Sequence, residues 1–112
     1  MHSMKSRMAS AALIALAAGA AGAQPVDGQK LAGGKACMAC HQVDSKRVGP
    51  PLRSVAERYA GQSEALDYLA GKIRGGGRGA WGAVPMPAQT QVSETEARQL
   101  AEWVLSLAPA KP

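Results

Sequence analysis

Cys37-Met38-Ala39-Cys40-His41 is the segment of this 112-residue chain whose residue types and spacing carry the most chemistry. Two thiols three positions apart, followed at once by an imidazole, form the C-x-x-C-H pattern of covalent haem attachment. The thiols would reach the two vinyl groups on one edge of a haem and become thioethers. His41 would then lie beneath the iron and offer it a ring nitrogen. Other uses of the pair fit poorly. A thioredoxin-like redox pair needs a strand–helix–strand setting that this sequence lacks. A zinc site needs four ligands, and past residue 23 the chain offers two Cys and one His. A disulfide between Cys37 and Cys40 would close a very short loop and restrain little of the unfolded chain.

The first residues read as an address rather than as structure. Lys5 and Arg7 precede an uncharged run of 16 residues from Met8 to Ala23, which ends in Ala21-Gly22-Ala23. That pattern predicts an export signal (residues 1–23) cleaved after Ala23. The run is shorter and less apolar than the roughly 20 residues of a spanning helix, so stable membrane insertion is not expected. No Cys sits at the cleavage point to take a lipid. Residues 24–112 then form one domain of 89 residues with net charge +3. So mild and scattered a charge gives no case for nucleic acid binding.

A second iron ligand can be sought by elimination. His2 leaves with the signal, so His41 is the one remaining His, and Met1, Met4 and Met8 leave as well. Met38 lies between the two Cys anchors and cannot cross to the other face of a ring. Met86 remains. Its thioether is soft enough for iron, and Pro85 and Pro87 stiffen the backbone that presents it. Three alternatives stay open: Met86 as core filler, Lys72 as a substitute ligand, or an open sixth position that would permit catalysis or gas binding.

Helices must position these groups. One is expected from Val26 to Lys35, with Asp27 as N-cap and Gly33-Gly34 weakening its end. A second spans Leu52 to Tyr59, with Leu52, Val55, Ala56 and Tyr59 on one face and a stop at Gly61. A third is capped by Ser63, repeats Leu66, Leu69 and Ile73 and ends at Gly75. The fourth opens on the capping box Ser93-Glu94-Thr95-Glu96. It carries the apolar stripe Ala97, Leu100, Ala101, Val104, Ala108 and ends at Pro109. Nothing alternates with period two, so no sheet is expected. Gln42 to Pro51 and Gly75 to Gln91 resist helix through their Gly and Pro residues, and the second holds Trp81 and Met86.

The core is thin. The chain has no Phe, two Trp (Trp81, Trp103) and two Tyr (Tyr59, Tyr68). A domain this small needs a staple or a large apolar group inside it.

Lys35 to His41, Val48-Gly49-Pro50, Trp81 to Pro87 and Ala101 to Leu105 together resemble the short class I cytochromes c. More narrowly, they resemble the bacterial periplasmic kind that donates electrons to nitrite reductase and terminal oxidases. The likeness runs from about Val26 to Leu107. It implies an all-α cytochrome c fold of about four helices around one haem c, held by Cys37 and Cys40 with His41 and Met86 as iron ligands. The implied function is a monomeric periplasmic one-electron carrier, not an enzyme. Its partners would be redox proteins: a quinol-oxidising complex of the bc type upstream, and a nitrite reductase or terminal oxidase downstream.

The resemblance also implies that the Pro50 carbonyl accepts a hydrogen bond from His41, and that the Trp81 indole N–H bonds a haem propionate. Lys72 would lie near the same propionate, where this kind usually carries Arg, so a fork of donors becomes a point charge. The family usually places an aromatic on the first helix against the last-helix aromatic, here Trp103. Ala32 stands there instead, so a looser contact is expected. Packing is the expected role of Trp103, and Tyr59 and Tyr68 are read as core or surface. Lys30, Lys35, Lys46, Arg47 and Arg53 are either a ring that steers acidic partners to an exposed haem edge or a plain solvated surface.

Overall fold

Capping chemistry and apolar spacing build the helices, and glycine conformation builds what lies between them. The computed structural model describes residues 10–14 and 25–109; the expected signal boundary after Ala23 lies outside these residues. The elements are α1 (Gly28–Gly34), a 3₁₀ turn (Cys37–Ala39), α2 (Leu52–Tyr59), α3 (Ala65–Gly75), β1 (Gly77–Gly79), β2 (Gly82–Met86) and α4 (Glu94–Ser106). Among the described residues, no helix is long and apolar enough to cross a membrane.

Asp27 caps α1 by accepting the Lys30 N–H at 3.1 Å. At α4 both halves of the capping box form: Ser93 Oγ accepts the Glu96 N–H at 3.1 Å, and Glu96 Oε1 accepts the Ser93 N–H at 3.0 Å. α3 departs from expectation. It starts at Ala65, and the residue at its cap, Glu64, makes no side-chain bond. Ser63 lies one position too early to cap it. α4 stops at Ser106, so Ala108 lies beyond the helix.

α4 is the spine against which α1, α2 and α3 each pack. Ala97, Leu100, Ala101 and Val104 face inward from it and meet Ala32 of α1, Leu52 and Val55 of α2, and Leu69 and Ala70 of α3. Small side chains dominate. Leu100 is the largest side chain that is almost wholly buried among the described residues.

The contact between α1 and Trp103 is closer than the Ala32 position suggests. Gly28 is buried, and a Cβ built on it would lie 2.1 Å from Trp103 Cβ. One turn before Ala32, the bare glycine backbone lets α1 press directly onto the indole. The far end of α1 is tied to the start of α4. Lys35 Nζ sits 3.1 Å from Glu96 Oε2 and donates to the Gln91 carbonyl at 3.3 Å, while Gln91 Nε2 donates to the Lys35 carbonyl at 2.9 Å.

The expected absence of sheet is corrected. β1 and β2 form an antiparallel pair, with Gly77 opposite Met86 and Gly79 opposite Gly82. These strands escape a period-two search because Gly, Ala and Pro leave them little side chain with which to alternate. Gly76 makes the entry possible. Its φ is +70°, and a Cβ there would lie 2.6 Å from the Met86 carbonyl oxygen.

Gly28→Ala should therefore lower stability by about 3 kcal/mol, the upper end of ordinary overpacking, as read from denaturant unfolding. A second outcome concerns pH. The Ser93 backbone N–H and then Lys35 hold the Glu96 carboxyl below its ordinary 4.5. The folded form thus binds its proton more weakly than the unfolded one. The resulting stabilisation is complete above about pH 4.5 and is lost as pH falls through the lower, folded value. Unfolding measured between about pH 3 and 7 should show a shallower acid loss in Glu96→Gln than in the parent.

Candidate functional site

A cavity of about 600 Å³ opens between the 37–41 segment and the β1–β2 hairpin, with α2, α3 and α4 behind it. The residues read from the sequence as haem or iron contacts all line it. Cys37, Cys40, His41 and Pro50 come from the first half of the chain, and Lys72, Trp81 and Met86 from the second. Its wall is predominantly apolar, with Leu52, Val55, Leu69, Ile73 and Leu100 among the lining residues.

Local backbone geometry delivers the attachment segment. Ala36 adopts a left-handed φ of +64°, which turns the chain out of α1 and into the 3₁₀ turn. The Cys40 carbonyl accepts N–H groups from Val48 at 3.2 Å and Gly49 at 2.8 Å, so the following loop closes back over His41. The loop is then fastened to α2, where Leu52 N–H donates to the Gln42 carbonyl at 2.9 Å and Arg53 N–H to the Val43 carbonyl at 3.0 Å.

This closure fixes the imidazole. His41 Nδ1 lies 2.9 Å from the Pro50 carbonyl oxygen. A carbonyl can only accept, so Nδ1 carries the hydrogen, and in the neutral ring Nε2 keeps its lone pair for a metal. Gly49 presses on the same ring: a Cβ there would lie 2.4 Å from Cε1 and 2.8 Å from Nδ1.

The cysteines are unpaired thiols, Cys37 half-buried and Cys40 exposed. Burial pushes the Cys37 thiol up from its ordinary value, against a smaller opposing effect of its own backbone. On the other side, Lys72 Nζ stands 5.4 Å from the centre of the Tyr68 ring, beside Gly77. Tyr68 packs on Tyr59 with ring centres 5.2 Å apart, and burial, then Tyr68, raises the Tyr59 hydroxyl.

Several of the lining residues were not read as site residues from the sequence. Tyr59 and Tyr68 line the cavity, as does Arg78. Tyr59 had a signal, because it shares the apolar face of α2 with Leu52 and Val55. Arg78, inside a glycine run, had none. The five cations considered as a steering ring also separate. Lys35 is engaged with Glu96, and Arg53 donates to Asp44 Oδ1 at 2.5 Å and to the Leu107 carbonyl at 2.6 Å. Asp44 accordingly raises the Arg53 guanidinium further. Arg53 is thus a brace between the 42–50 loop and the end of α4. Lys30, Lys46 and Arg47 are exposed.

The site fits a large, flat, mostly apolar prosthetic group. Its volume lies within the roughly 300–1,000 Å³ of small-molecule sites. Two free thiols sit at one part of its wall, and an imidazole nitrogen and a thioether sulfur come from separate segments. Lys72 and the Trp81 N–H supply donors suited to carboxylates.

Comparison with known proteins agrees. The family model described as cytochrome c matches residues 25–108. Cytochrome c-552 of Hydrogenobacter thermophilus is 56% identical over 79 residues, covering 70% of this chain and 80% of the relative. Cytochrome c-551 of Stutzerimonas stutzeri is 51% identical over 92 residues, covering 80% and 88%. The crystal structure of wild-type Nitrosomonas europaea cytochrome c552 superposes with a TM-score of 0.69 at 49% identity, covering 70% of this chain and 98% of that one.

Gly49→Ala should drive the His41 ring off Pro50 or open the loop, at a cost of about 1–3 kcal/mol. Denaturant unfolding checks the cost. Faster exchange of the ring Nδ1–H in NMR spectra checks the displacement.

Proposed function

The chain belongs to the cytochrome c family, and from that membership we propose that it is a periplasmic one-electron carrier whose haem iron is held by His41 and Met86. Covalent haem c on Cys37 and Cys40, and electron carriage by a small protein, come with the family. When bound, haem c supplies an iron that changes oxidation state by one electron.

The chain's own groups account for the rest. Pro50 orients His41 so that Nε2 is the ligating atom. Met86 supplies a soft sulfur from the end of β2, between two prolines that hold its backbone stiff. Two strong protein ligands leave no coordination position for a substrate, which favours a carrier over a catalyst. Trp81 and Lys72 are assigned to the propionates. The exposed Cys40 marks the edge at which partners would exchange electrons.

Residues 1–23 direct export, cleavage follows Ala23, and the remaining domain works as a monomer. Its electrons come from a quinol-oxidising complex of the bc type and pass to a nitrite reductase or terminal oxidase. The observation that carries the ligand assignment is the placement of Met86 on the wall of the cavity that His41 also lines.

Met86→Ala should abolish the sulfur–iron absorption band at the red end of the oxidised spectrum. It should also lower the reduction potential by on the order of 0.1 V or more, within the roughly 0.8 V that axial ligands set. A redox titration followed in the visible reads both. An unchanged spectrum and potential would remove Met86 from the iron.

A further inference from the structure

The hairpin that ends in Met86 has little to hold it shut. A two-stranded ribbon is marginal alone, and here it is made largely of Gly, Ala and Pro. Its base is secured by the Gln89 N–H, which donates to the Ile73 carbonyl at 3.0 Å, and by the packing of Gly76 under Met86. Its tip is the turn Ala80–Trp81, far along the ribbon from that base.

Arg58, in the last turn of α2, reaches this tip from another element. Its guanidinium carbon stands 3.9 Å from the centre of the Trp81 ring, and its Nη1 donates to the Ala80 carbonyl at 2.6 Å. One side chain thus grips both turn residues. Among the described residues, this is the one side-chain hydrogen bond that reaches residues 77–86 from elsewhere in the chain. Trp81 lines the cavity, whereas Arg58 is not part of that lining.

We propose that Arg58 is a positioning residue: a latch outside the cavity that holds the Ala80–Trp81 turn closed over it. The inference rests on the reading of this cavity as the haem site, and goes beyond it in assigning the control of Trp81 to a charge on α2. Both halves of the grip need the guanidinium. Its central carbon sits over the indole while an N–H is aimed at the carbonyl, so a lysine would keep the charge but lose the fork.

The test is hydrogen exchange by NMR on the haem-loaded protein. Arg58→Leu should speed exchange of the Trp81 indole N–H and the Gly82–Val84 amides about tenfold, the order expected when a guanidinium hydrogen bond and an exposed cation–π contact are lost together. The Leu100 and Val104 amides of α4 should keep the parent rate, and Arg58→Lys should fall between the two. Parent-like exchange at the tip would overturn the latch. So would equal acceleration in α4, which would mean that Arg58 merely stabilises the whole fold. The sulfur–iron band of the parent separates the two readings: its absence would count against Met86 as ligand, while exchange at the tip would still decide the latch.

Discussion

An apolar cavity of about 600 Å³ in a chain of only 112 residues is the constraint from which the rest of the structure follows. The helices meet through Ala32, Ala97, Ala101 and a few leucines and valines, and Leu52, Val55, Leu69, Ile73 and Leu100 line the cavity with apolar surface. Water against such a wall is unfavourable, at roughly 25 cal/mol for each Å² of apolar surface left uncovered. A covalently held haem c removes that exposure. In this small cytochrome c the cofactor is therefore part of the core as well as the centre of its chemistry, and thioether bonds at Cys37 and Cys40 hold it to the chain.

The side chains proposed to hold the iron, His41 and Met86, come from a turn and a hairpin, so their placement depends on what fastens those segments. His41 is held by the Pro50 carbonyl and pressed by the Gly49 backbone. The loop between them is fastened by backbone bonds to α2 and braced by Arg53 against the end of α4. On the opposite flank, Gly76 lets the hairpin base pack under Met86, and Arg58 grips the tip. A carrier gains from this arrangement, because ligands fixed before the electron arrives need little rearrangement when it does.

What could be read from the residues alone was the local part. Cys37 to His41 announces its chemistry within five positions. α2 and α4 follow from apolar spacing and, at α4, from a capping box whose partners are three residues apart. Long-range features left no such trace. Gly28 pressing on Trp103, Arg58 on Trp81 and Arg53 on Leu107 join residues far apart in sequence, and neither a glycine nor a lone arginine shows periodicity. The hairpin was missed for a related reason: residues 77–86 have too little side chain to display a strand pattern. Ser63 misled because a good capping residue does not fix the first turn when the chain begins its helix two residues later.

Denaturing mass spectrometry of the protein made alongside a working haem-attachment system asks most directly whether the cavity's occupant is bonded to the chain. The expected result is the polypeptide plus one haem, retained after complete unfolding, with no thiol left to label. A bare polypeptide with two reactive thiols would contradict it.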